Sequence, residues 1–92
     1  MNLTDMITIP AQVMARQVGE ETVILDLASG TYFGLDPVGA RIWTLLSEGK
    51  TLGETCDTML DEFEVERGHL ERDVADLLDK LAGQGLIKIE AR

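Results

Sequence analysis

Residues 22–46 read Thr22-Val-Ile-Leu-Asp-Leu-Ala-Ser-Gly-Thr-Tyr-Phe-Gly-Leu-Asp-Pro-Val-Gly-Ala-Arg-Ile-Trp-Thr-Leu-Leu46. The first part alternates in period two, with Val23, Leu25 and Leu27 on one face and Thr22, Ile24 and Asp26 on the other, the pattern of a strand. Ala28-Ser29-Gly30 then turns the chain, with Gly30 free to take a positive φ. Residues 31–35 form a second short strand, Thr31, Phe33 and Leu35 opposing Tyr32 and Gly34. Glycine weakens a strand and often marks a close backbone approach. Asp36-Pro37 is an abrupt helix start. The carboxylate caps free N–H groups, and proline at the first helical position loses no hydrogen bond. A β-ribbon is thus joined directly to a helical body.

Outward from this stretch, residues 12–17 alternate as an earlier strand and Val18-Gly19-Glu20-Glu21 is its turn. Residues 1–10 have no clear periodicity and read as a loose N-terminal arm ending at Pro10. Downstream, the first helix runs to about Ser47, with Val38, Ile42, Leu45 and Leu46 along one stripe, and Gly49 stops it. Thr51-Leu-Gly-Glu54 is a capping box. A second helix to about Phe63 carries Leu52, Cys56, Met59, Leu60 and Phe63 at helical spacing. The third spans about 67–83, with Leu70, Val74, Leu77, Leu78 and Leu81 as an amphipathic stripe. Leu86-Ile-Lys-Ile89 reads as a short terminal strand. The order, three strands and three helices, predicts one α+β domain over residues 1–92. The two-helix unit with its Gly-Leu-Ile exit is winged-helix-like.

Composition narrows the function. The 92 residues carry 8 basic and 17 acidic side chains, a net charge of -9, and ten of the acids lie between Glu54 and Asp79. Nucleic-acid affinity rests on Lys and Arg neutralising phosphates, so DNA and anionic membranes are disfavoured partners. No apolar run approaches the roughly 18 residues needed to span a bilayer. The N-terminus lacks a basic region followed by an apolar one, so the expected location is cytoplasmic. One cysteine excludes an internal disulfide and a multi-Cys zinc site.

No constellation for catalysis emerges. Cys56 lies on the apolar stripe of its helix, the setting of an inert thiol. His69 has no partner Cys, Ser or second His. The carboxylates Asp57, Asp61, Glu62, Glu64 and Glu66 lack the glycine turn and ligand spacing of a calcium loop. Gly34 to Gly39 lacks the Lys-Ser/Thr of a phosphate loop, so Gly39 reads as a packing glycine. Trp43, off the main stripe, either covers the sheet or borders a ligand surface. The expectation is no enzyme, no metal and no cofactor, leaving the strand edge as the candidate for function. An extended peptide can add to such an edge, gaining main-chain hydrogen bonds while pockets select side chains. In a simple meander that edge is Thr31–Leu35.

The run Leu25-Asp-Leu-x-x-Gly-x-Tyr-Phe-Gly-Leu-Asp-x-Val-Gly-Ala-Arg-Ile-Trp-x-Leu-Leu46 resembles the PqqD family of peptide chaperones, and above all the stand-alone leader-binding proteins of lasso-peptide gene clusters. The likeness continues through Leu78-x-x-Leu-x-x-x-Gly-Leu-Ile87. The resemblance implies a precursor recognition element of RiPP (ribosomally made, modified peptide) biosynthesis, with a three-stranded antiparallel N-terminal sheet packed on three helices in a winged-helix-like body. It would bind the leader of a precursor peptide as a further antiparallel strand beside the third strand, against the third helix. It would then deliver it to a separate processing enzyme, such as a cysteine-protease leader peptidase or a tailoring enzyme. The implied peptide-binding residues are Thr31, Tyr32, Phe33 and Gly34 on the strand, and Leu70, Asp73, Val74 and Leu77 on the helix. Among these Val74 and Leu77 are expected to be shared between core and groove. Two alternatives compete. A winged-helix DNA-binding regulator would need a basic third helix, yet its exposed positions are Glu71, Asp73, Asp76, Asp79 and Gln84, opposed only by Arg72 and Lys80. A small structural subunit without a peptide ligand would lack a precursor-like gene beside its own.

Overall fold

The computed structural model describes residues 2–91. Its elements are β1 (Met6–Thr8), β2 (Val13–Val18), β3 (Glu21–Asp26), β4 (Tyr32–Leu35), α1 (Pro37–Ser47), α2 (Leu52–Glu62), α3 (Arg67–Gly83) and β5 (Lys88–Glu90). The expected α+β body is present, with β2-β3-β4 forming an antiparallel meander. The N-terminal arm departs from expectation. Its residues 6–8 are β1, paired antiparallel with β5 in a second, two-stranded sheet. The same arm holds the start of α2: Leu52 N–H donates to Asp5 O at 2.9 Å and Gly53 N–H to Leu3 O at 2.8 Å. A Cβ on Gly53 would stand only 3.1 Å from Leu3 O, so glycine permits this approach.

Local signals position β4 and the helices behind it. Asp26 is buried at the end of β3, and its Oδ1 accepts from Ala28 N–H at 2.9 Å and Ser29 N–H at 3.2 Å. That Asx turn sets the hairpin into β4. Asp36 Oδ1 accepts from Gly39 N–H at 2.7 Å, with Pro37 in the first helical turn. The Thr51–Glu54 capping box is complete, at 3.1 and 2.9 Å. A Cβ on Gly39 would sit 3.3 Å from Leu35 Cδ2, so this glycine lets α1 close on β4.

The core joins Val13, Ile24 and Leu35 of the sheet to Ile42, Trp43, Leu45 and Leu46 of α1, Leu52, Cys56 and Met59 of α2, and Leu70, Val74, Leu78 and Leu81 of α3. Leu86 and Ile87 also lie in it, and the terminal strand starts one residue later, at Lys88. Trp43 is a core residue covered on all sides, whereas Val38, expected on the buried stripe, is exposed. The helices are tied at the surface by Arg41, whose Nε and Nη2 donate to Glu62 at 2.8 and 2.6 Å. That hydrogen bond holds the Glu62 carboxyl below the usual carboxylate range. Arg67 bridges Asp57 on α2 at 2.8 Å and Glu71 on α3 at 3.1 Å.

Candidate functional site

β4 pairs with β3 on one side, in the register Thr22 with Leu35, Val23 with Gly34, Ile24 with Phe33 and Leu25 with Tyr32. Among the described residues no strand pairs with its other side. The phase of the ladder follows from Asp26 N–H, which donates to Thr31 O at 2.8 Å. Main-chain groups alternate in direction along an antiparallel strand. Thr31, Phe33 and Leu35 therefore bond inward to β3, and the N–H and C=O of Tyr32 and Gly34 point to the free side. Side chains alternate across the other axis. Phe33 and Leu35 face the helices, half-buried and buried, while the Tyr32 ring stands 70% exposed on the outer face.

Facing this edge is α3. Between them lies a groove of about 360 Å³. Phe33, Gly34 and Leu35 line it from β4, Asp36, Val38, Gly39 and Ile42 from the start of α1, and Asp73, Asp76, Leu77 and Lys80 from α3. The floor is apolar and half-open, and the α3 rim is charged. Open main-chain donors and acceptors beside an apolar trough are what an added strand needs. Gly34 has open space at its absent Cβ, with nothing within 4 Å. Among the described residues, no backbone packs against it.

Of the eight residues expected at a peptide site, four line the groove: Phe33, Gly34, Asp73 and Leu77. Tyr32 contributes its main chain to the free edge. Thr31 lies one residue before β4, and its side chain meets the Ser29 hydroxyl at 3.0 Å. Leu70 and Val74 are buried in the core, at 2% and 0% exposure, and do not line the groove. Sequence reasoning did not single out Val38, Ile42 or Lys80 as site residues, and placed Asp76 only on the flank of α3. Val38 carried a detectable sign: it is an apolar residue in the first turn directly after the strand.

Neither of the remaining reactive side chains, Cys56 and His69, lines this groove. Cys56 is buried, and desolvation, with a smaller contribution from Glu71, pushes its thiol up from the usual value. His69 is exposed, with Nε2 3.4 Å from Asp73 Oδ2. Among the described residues no group of three or more His, Cys, Asp or Glu is placed to hold a metal ion. No helix among them is long and apolar enough to cross a membrane.

A family model described as "Coenzyme PQQ synthesis protein D (PqqD)" matches residues 21–87. The chain is similar to the solved structure of TbiB1 in complex with the TbiA(beta) leader peptide, at 44% identity and a TM-score of 0.81, over 91% of this chain and 98% of that one. It is also similar to a lasso peptide synthetase B1 complexed with the leader peptide, at 29% identity and a TM-score of 0.82, over 89% and 96% of the two chains. No curated protein sequence matches it at a significant level.

Proposed function

Because this chain belongs to the PqqD family, we propose that it recognises the leader segment of a ribosomally made precursor peptide, of the lasso class, by strand addition. It performs no chemistry on the peptide and presents it to a separate processing enzyme. A cysteine-protease leader peptidase is the kind of partner this implies, and the cytoplasm is the expected place.

The observation that carries the reading is the unpaired β4 edge across an apolar-floored groove from α3. An added strand would bond to the main chain of Tyr32 and Gly34 and seat alternate side chains over Phe33, Leu35, Val38, Ile42 and Leu77. Its register is specified because one face of the peptide is buried and the other is open. Both similar structures hold leader peptides, which favours this reading over a structural subunit without a ligand. The DNA-binding alternative loses ground because the exposed flank of α3 carries Asp73, Asp76 and Asp79.

The test is fluorescence polarisation with a labelled leader peptide encoded beside the gene, in the presence of a chelator. Saturable binding unaffected by the chelator, with no change in the peptide's mass after incubation, is expected. Complete loss of binding on chelation, or cleavage of the peptide by this protein alone, would refute the proposal.

A further inference from the structure

The groove is electrically lopsided. Its α3 rim carries Asp73, then Asp76, then Lys80, around the half-buried Leu77. Asp36, at the mouth, already accepts the Gly39 N–H at 2.7 Å. Asp73 lies beside His69 at 3.4 Å. Asp76 and Lys80 are exposed and make no ion pair among the described residues. Lys80 is the one cation among the described lining residues.

These positions have a spacing a strand can match. One helical turn advances about 5.4 Å. Residues on one face of a strand repeat every ~6.7 Å. Asp73 and Lys80 stand about one turn to either side of Leu77, and Asp76 lies between them on the rim, three positions from Asp73 and four from Lys80. A strand lying along α3 with an apolar side chain on Leu77 therefore brings its next same-face side chain level with Asp73 in one direction and with Lys80 in the other.

We infer that this groove selects peptides with a Lys or Arg two residues from the apolar anchor, on the side away from Lys80. The inference rests on the leader-binding reading and deepens it. A cation at the Asp73 end is level with that carboxylate and one helical turn from Asp76, whereas at the other end it meets Lys80. Discrimination comes from both the attraction and the repulsion. The same asymmetry tells the two directions of an added strand apart, which main-chain bonding alone does poorly.

The experiment is selection from a displayed library of random 15-residue peptides on the wild-type protein and on Asp76→Lys, Asp76→Asn and Lys80→Glu. Groove binders are those lost on Gly34→Pro. Among them, wild type should enrich Lys or Arg two residues to one side of an apolar residue. Asp76→Asn should flatten that preference, and Asp76→Lys should replace it with Asp or Glu. Lys80→Glu should admit the cation on either side. For one selected peptide, Lys→Glu should weaken wild-type binding about tenfold and recover most of the loss on Asp76→Lys. Groove binders without a charge preference, or with one that ignores Asp76, overturn the inference and leave leader binding standing. Selected peptides that all survive Gly34→Pro, in variants whose melting matches wild type, overturn both.

Discussion

Val74 and Leu77 stand three positions apart on α3 and meet different surroundings. Val74 is sealed in the core, while Leu77 is half-buried at the groove. Periodicity placed both on the apolar stripe, and the expectation was that they share core and groove. A helix rotated by a few tens of degrees moves a boundary residue from one to the other, and only the packing of α1 and the sheet sets that rotation. The consequence is measurable. Leu81→Ala should cost about 2–5 kcal/mol, since Leu81 is 1% exposed and leaves a cavity. Leu77→Ala should cost clearly less stability and more peptide affinity. Asp73→Ala should leave the melting temperature nearly unchanged and weaken leader binding several-fold. Parallel melting and titration separate these outcomes, and equal losses in both at every position would make α3 mere scaffold. Cys56 gives a second residue-level prediction. Burial pushes its thiol up and shields it, so a thiol reagent should label the native protein only at the rate at which it opens.

At the scale of elements, β4 and β1 contrast. β4 was legible because Tyr-Phe-Gly-Leu alternates and Asp36-Pro37 ends it. Its freedom at one edge follows from the meander, and the ladder phase makes that freedom testable. Gly34 N–H points away from β3, so Gly34→Pro removes no bond of the sheet yet deletes a donor from the free edge. The variant should keep its circular-dichroism spectrum and lose leader binding. Binding retained by the folded variant would place the peptide elsewhere. β1 was not legible. Three residues are too few for a period to show, and their pairing partner lies at the far end of the chain, at Lys88–Glu90. Removing residues 1–9 should lower the melting temperature by several degrees, because it strips β5 of its partner and uncovers the Leu52 and Gly53 N–H groups at the start of α2. An unchanged melting curve would show that the arm is only decoration.

For the molecule as a whole, charge and packing govern different things. The net charge of -9 bears on partners and not on the fold. It repels polyanions, so no gel-shift of duplex DNA is expected at 150 mM salt and micromolar protein. A shift under those conditions would revive the regulator reading. The acids are not all free: Glu62, Asp57 and Glu71 are held by Arg41 and Arg67, which ties α1 to α2 and α2 to α3. Exposed pairs of this kind contribute little each. The rim carboxylates Asp73 and Asp76 are left facing the groove, where a ligand can meet them.

What local sequence decides is whatever closes within a few residues. The capping box at Thr51, the Asp36 cap, the strand alternation over 22–27 and the inert setting of Cys56 each depend on neighbours in the chain. The run from Leu25 to Leu46 carried the family in the same way, because its turn, edge strand and helix start form one continuous unit. Three things needed the tertiary structure. The β1–β5 pairing joins residues 80 or more apart, the division of the α3 stripe between core and groove depends on helix rotation, and Val38 and Ile42 meet Asp76 and Lys80 only when α1 and α3 flank the same edge. Each is a long-range closure. It depends on residues far apart in the chain, whose approach costs loop-closure entropy, so no local pattern in the sequence records it.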